Sequence, residues 1–500
     1  MATLTAPGVY VTVAAAPPSP AGNTATGTWF VTGQTVQGPT GVAIPITSMT
    51  DYANFLGARS GTYSLLFDAL DEFFRDGGTL AYVSRVPFST GAPVAATIVL
   101  GGVTLTAAGV GAWGNTLAVA VSTGLTPAGV TIAGTVVLTI TLGGVAIVPP
   151  SPNLYTTADA AAWAGAISKW LLPVNVTVTS TVMPTVAASA PFATGADGTA
   201  SVEGDWTTAL TTFTNLYGVG QVSAPGHTTA VGYVAINAHA QAFNRVGLLD
   251  VTDGPTATTL ISYATTFQTA VVAAGQDPSY SALFGPWITL PGISNATPGS
   301  SSPVPTRTCA PSALAAATMA KSDRTNNTNV PAAGLNGLST YAINVTQNFI
   351  DSDRGLLNSA GVNVVRNRLN SIMVYGFRSL AIDPNWVYLN NVRFRMQMQS
   401  DFGNIAQSFV FQEIDGQGHV FSTLAGAIAG QCQTYFIAGA LYGVNPQNAY
   451  LVNTGPQVNT PATIAASQIN AQVSVRMSPI GEFVPINVSK YAVSAALPSL

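Results

Sequence analysis

Charge is scarce in this chain. Aspartate, glutamate, lysine and arginine make up 7% of its 500 residues, against roughly 25% in ordinary soluble domains. The net charge is -4, so no global basic field invites nucleic acid. Histidine occurs only at His227, His239 and His419, and none stands in an H-E-x-x-H or other tight ligand spacing; His227 and His239, which bracket a helix, read as surface or cap residues. The two cysteines, Cys309 and Cys432, lie too far apart in sequence to suggest a disulfide framework. Lysine occurs at Lys169, Lys321 and Lys490, none after a phosphate loop, and no serine sits in G-x-S-x-G. No catalytic, cofactor-binding or metal-binding residue is therefore expected. The opening Met1-Ala2-Thr3-Leu4-Thr5 lacks the basic and apolar regions of a signal peptide. The apolar run from Val420 to Val444 is broken by Gln431, Gln433 and Thr434, so it reads as an amphipathic core helix and not as a membrane span.

Hydrophobic residues are plentiful, at 47%, enough for large cores and about three domains. So little charge on an exposed surface leaves two readings. Either the surface is merely rich in threonine and glycine, or copies of the chain cover it; the composition favours assembly.

Periodicity divides the chain. Thr28-Trp29-Phe30-Val31-Thr32-Gly33 predicts a strand. Ser48 to Phe55 predicts a short helix capped by Ser48 or Thr50, and Ser64 to Phe74 a helix with Leu65, Leu66, Ala69, Leu70, Phe73 and Phe74 on one face, stopped by Asp76-Gly77-Gly78. Leu80 to Val86 predicts the next strand. Between Val86 and Ala196 the only charged residues are Asp159 and Lys169, and Thr, Val, Ala and Gly dominate, which predicts a β-rich insertion carrying one helix from Thr157 to Trp170. From Asp205 strands and helices alternate again, implying a mainly parallel sheet covered on both faces. Asp250 and Asp253, at a strand end, read as turn and cap residues. From Phe394, the residues Met398, Phe402, Ile405 and Phe409 continue one helical face. A second helix carries Phe421, Leu424, Ile428, Cys432, Tyr435 and Phe436, with Asn445-Pro446 as its stop and Gly426 and Gly430 open to close approach.

The order of several phrases resembles the contractile tail sheath family of myophages and related injection machines. They are Pro7-Gly8-Val9-Tyr10, Gly111-Ala112-Trp113-Gly114-Asn115, Arg245 to Asp250, Gly285-Pro286-Trp287-Ile288, Gly355 to Arg366, Trp386 to Arg393, Gly439 to Gly443 and Ser478-Pro479-Ile480-Gly481-Glu482-Phe483. The phrase from Val304 to Lys321 departs from the family pattern. The resemblance implies a multidomain mixed α/β fold: an arm at 1–20, an α/β core at 21–86 and 197–345, an inserted β-rich domain at 87–196, a C-terminal domain at 346–482 facing an inner tube, and a second arm at 483–500. It implies a virion tail subunit, assembled in the host bacterial cytoplasm. Its partners would be itself, in hexameric rings stacked helically, the inner tube, the baseplate and the tail terminator, with no nucleic acid and no membrane insertion.

Two sets of residues are candidates for contacts with those partners. Val9, Tyr10, Val11, Thr12 and Val13 precede Pro17-Pro18-Ser19-Pro20, so this strand either folds back locally or pairs with another subunit. Ile486, Val488, Tyr491 and Val493 form the matching stretch at the other end. Arginines cluster at Arg354, Arg366, Arg368, Arg378, Arg393 and Arg395. They read either as solvated faces with intrachain pairs or, by the resemblance, as a basic face toward the tube, with Arg393 and Arg395 foremost. The competing reading of the chain is a secreted β-rich carbohydrate-binding or hydrolytic protein. It needs an aromatic or paired-carboxylate site in the insertion, where only Trp113, Trp163, Trp170 and the acid Asp159 are on offer.

Overall fold

The computed structural model describes residues 26–61, 63–167, 173–293 and 306–486. Two compact units divide between Ser408 and Phe409.

The first unit is built on an eight-stranded sheet. Its spatial order is Ser371–Val374, Val362–Arg368, Ser281–Gly285, Val246–Leu249, Gln221–Ser223, Trp29–Gly33, Ala81–Arg85 and Ile44–Ile46. The six inner strands are parallel, and one antiparallel strand closes each edge. All five residues of Trp29–Gly33 are buried, as a central parallel strand requires. Successive side chains point to opposite faces, which explains the two cores. Trp29 and Val31 join the core with Leu66, Phe73, Leu314 and Met319 from helices Ser64–Arg75 and Pro311–Thr325. Phe30 joins the other, with Phe213, Tyr233, Ile236 and Phe267, the last three from helices Ala230–Ala242 and Ala257–Ala273.

Helix ends follow local chemistry. Ser48 caps Met49–Leu56 by accepting from the Asp51 amide. The Ser64–Arg75 helix stops at Gly77, whose φ is +110°, while the Gly78 amide returns to the Phe73 carbonyl. That six-to-one closure needs a residue in the positive-φ region, and a Cβ on Gly78 would stand 2.3 Å from the Phe73 ring.

The insertion forms two sheets of its own. One orders 97–100, 103–107 and 174–178; the other orders 187–191, 117–125, 131–142 and 145–146. Leu105, Leu117, Val119, Leu138, Ile140 and Trp163 make a separate core. Its two ends run side by side: Thr90 bonds to Ala200 and Thr199, and Val94 to Ala196, through the backbone.

Residues 346–408 stand with the main body. Leu283 pairs with Val362 in parallel register, and the hairpin to Ser371–Val374 turns through Leu369 and Asn370, both at positive φ. The expected C-terminal segment beginning at 346 therefore contributes two strands and the helices Asp351–Ser359 and Leu389–Gln407 to the first unit, and the second unit starts only at Phe409. That second unit holds the helix His419–Ile437 and a two-stranded antiparallel sheet. The helix buries Leu424, Ile428, Cys432 and Tyr435 as expected, but also Gln431, which lies in the same stripe three residues after Ile428. It ends eight residues before Asn445: Gly439 takes φ +76°, and Gly439 and Ala440 bond back to Phe436 and Tyr435. Asn445-Pro446 instead caps the short turn Pro446–Ala449.

Candidate functional site

Ligand sites in parallel α/β sheets sit beyond the strand C-termini where strand order reverses. Here the reversal falls between Trp29–Gly33 and Gln221–Ser223, since the chain winds one way to Ala81–Arg85 and the other way from Gln221 onward. That place is filled. Asp250, fully buried, accepts from the Ser312 amide and hydroxyl and from the Gly226 amide. Burial pushes its carboxyl up to about 6 against the pull of those bonds. It thus caps helix Pro311–Thr325 across space, the structural role read from the sequence. The cavity beside Arg85, Thr35 and Asp197 measures about 10 Å³, room for roughly one water, and Arg85 donates through one nitrogen to the Gly38 and Val110 carbonyls.

The histidines are dispersed. His239 is buried, not a surface residue, and accepts from Arg245 at 2.8 Å. Burial first, then the Arg245 charge, lowers it to about 3, so its ring is neutral with Nε2 as acceptor. Arg245 has no exposed surface; it also donates to the Phe213, Thr214 and Gly218 carbonyls and lies 3.6 Å from the Phe30 ring centre. His227 stacks on Trp206 and bonds Glu203. Among the described residues no group of three His, Cys, Asp or Glu side chains could hold a metal, and no helix is long and apolar enough to cross a membrane. In the insertion, Trp113 and Trp163 are buried, and Asp159 closes a capping box with Thr156. Among the described residues of the insertion, neither tryptophan is exposed for sugar stacking, and its one acid, Asp159, is committed to the helix cap.

The second unit carries a small sheet with open edges. Tyr450–Asn453 pairs with Gln472–Val475 and the sheet stops there. Each strand therefore has one edge without a sheet partner among the described residues. Such edges template further pairing unless charge, proline or a bulge blunts them, and Tyr450-Leu451-Val452-Asn453 and Gln472-Val473-Ser474-Val475 contain none of these. Beside Tyr450–Asn453 runs a groove of about 370 Å³, bounded by Ala425, Gly426 and Ala429 of the helix and by Pro446, Tyr450 and Val452. Nothing lies within 4 Å of where a Cβ on Gly426 or Gly430 would sit. The approach to these glycines expected from the sequence is left open by the chain itself. Leu451, which also lines it, is 64% exposed. The sequence reading missed this sheet; its signal is slight, the alternation of Val473 and Val475 in one run and the apolar pair Leu451-Val452 in the other.

The expected contact residues divide. Val9, Tyr10, Val11, Thr12, Val13, Val488, Tyr491 and Val493 lie outside the described residues. Ile486 is 79% exposed, as are its apolar neighbours Phe483 at 74% and Val484 at 76%. Arg393 does not lie on an exposed face. Its side chain is 3% exposed and reaches Asp323 of helix Pro311–Thr325 at 2.5 Å. Arg395 is half-buried, its guanidinium 4.3 Å from the Trp386 ring centre and 5.0 Å from that of Tyr280.

No protein-family model and no curated protein matches the chain. Solved structures do. A sheath tail protein from Listeria innocua superposes with a TM-score of 0.57 at 14% identity, over 87% of this chain and 90% of that one. The helical sheath of the anti-feeding prophage in its contracted state gives 0.56 at 17% identity, over 97% and 99%. The sheath of the extracellular contractile injection system PVC, also contracted, gives 0.54 at 15%, over 98% of both chains. From the main sheet to the C-terminal unit, this chain has the fold of the contractile tail sheath proteins.

Proposed function

We propose that the chain is the structural subunit of a contractile sheath, carried in a phage tail or a related injection particle. Copies polymerise around an inner tube in stacked six-fold rings, and shortening of the array drives the tube through a target envelope. The role is structural and not catalytic. The observation that carries this reading is the undefended two-stranded sheet with its adjoining groove, in a chain whose two ends hold β-branched stretches at Val9 to Val13 and at Ile486 to Val493. A neighbour's terminal stretch added to that sheet gives roughly four to six backbone hydrogen bonds of about 1 kcal/mol each. Ordering the stretch costs roughly 1–2 kcal/mol per residue. One such link is close to neutral, so the array is held by many links at once. The inner tube, baseplate and tail terminator are the further partners this reading requires, with assembly in the host bacterial cytoplasm.

Truncation tests it. Removing residues 1–16, or everything after Glu482, should leave a folded chain by circular dichroism and abolish long tubes by electron microscopy. Tubes of full length from either truncated chain would refute strand exchange at that end.

A further inference from the structure

Two guanidinium groups meet on the first unit. Strand Val362–Arg368 directs Val362 and Val364 into the core against Leu357 of helix Asp351–Ser359. Arg366 continues the same face, by the two-residue period of a strand, just past the core's edge. Its guanidinium lies 4.8 Å from the ring centre of Tyr375. Its Nε is buried and has no acceptor, and no carboxylate lies within ion-pair distance of it among the described residues. Arg354, in the first turn of the helix, donates to the Phe349 carbonyl and pairs with Asp351. Partial burial and then the Arg366 charge hold Arg354 below its usual range. Between the two arginines opens a pocket of about 440 Å³, with Asp351 on its rim. Two cations and one acid bound it, so one positive charge is left without a counterpart.

We propose that Arg354 and Arg366 form a carboxylate site, which takes an acidic side chain of a protein partner. A planar guanidinium presents a fork that matches a carboxylate with two parallel hydrogen bonds. Asp351 on the rim disfavours a dianion such as phosphate more than it disfavours a monoanion. Ile350, 67% exposed, lines the site and suits an acidic residue with an apolar neighbour. Tyr375 is already covered by Arg366, which removes the stacking platform that a single-stranded nucleic acid uses. The site is independent of strand addition and of whether the chain forms a sheath.

The test uses the soluble full-length chain and a pair of short peptides, acetyl-Leu-Glu-Glu-Leu-amide and its glutamine counterpart, in isothermal titration calorimetry at low salt. The glutamate peptide should bind at least about tenfold more tightly than the glutamine peptide, the effect of one charge-assisted bidentate contact. Arg366→Gln should weaken it by about the same factor, Arg366→Lys by less, and Arg368→Gln, on the exposed end of the same strand, not at all. Arg354→Gln serves as the second variant should Arg366→Gln fold poorly by circular dichroism. Equal binding of both peptides, or binding that ignores Arg366 and Arg354, overturns the site. Arg366-dependent binding of inorganic phosphate without binding of the glutamate peptide overturns the protein partner.

Discussion

Arg393 offers the sharpest energetic test, because its sequence context and its surroundings predict opposite outcomes. An arginine on an exposed helix face contributes about 0–1 kcal/mol through ion pairs. Arg393 is instead buried with its carboxylate partner, the two side chains 3% and 8% exposed. Asp323 receives one further bond there, from the Thr26 hydroxyl. Arg393→Met keeps most of the side-chain length and leaves Asp323 as a buried charge with that hydroxyl alone. Breaking a buried pair from one side costs about 3–5 kcal/mol. Asp323→Asn in the same chain should recover part of the loss, since the stranded charge is gone. Arg395→Met is the control: it loses stacking on Trp386 and Tyr280, which is worth about 0.5–2 kcal/mol. Urea unfolding read by tryptophan fluorescence isolates the right unit, because all seven tryptophans precede Ser408. A loss below about 1 kcal/mol for Arg393→Met would refute the buried-pair argument and return Arg393 to the exposed basic face.

Three further outcomes follow from the same physical reasoning. His239 is held near 3 while an unfolded histidine titrates near 6.5; the unfolded state takes the proton first, so stability falls as pH drops from about 6.5 to 3, by at most about 5 kcal/mol. His239→Gln keeps an acceptor for Arg245, and the stability difference between variant and wild type should change across that window; a pH-independent difference contradicts it. Glu72 is fully buried, and burial followed by the charge of Asp76 holds its carboxyl well above the ordinary glutamate range. The folded state therefore keeps its proton longer, stability is lost as pH rises past 4.5, and Glu72→Gln should gain on wild type with rising pH; a gain that instead shrinks over that range would sink the argument. Replacing residues 91–198 with a short Gly/Ser linker keeps the Thr90–Thr199 pairing and should leave the main sheet folded by circular dichroism; loss of all soluble product would show that the insertion supports the body.

What was legible in the sequence was local. The run Trp29 to Gly33 reads as a buried strand because β-branched and aromatic residues follow one another without a break, and Ser48 and Gly77 mark helix ends by their own side-chain and backbone chemistry. The boundary at 346 was not legible, because the pairing of Val362 with Leu283 joins residues far apart in sequence, and neither run states its partner. The burial of Arg393 escaped for the same reason: its acid is Asp323, on another helix. Gly439 ends the helix before the Asn445-Pro446 stop that the sequence suggests, because a positive-φ glycine ends a helix as firmly as a proline. The open sheet is the least legible element, since two four-residue strands carry too little pattern to rise above their surroundings, and an unpaired edge is defined by what does not lie beside it.

Cryo-electron microscopy of the polymer formed by the purified chain tests the central claim most directly. The account predicts a helical tube of stacked rings, with an extended segment from a neighbouring copy hydrogen-bonded along the free edge of Tyr450–Asn453 or Gln472–Val475. A chain that stays monomeric at every concentration, or a tube in which both edges are bare, would contradict it.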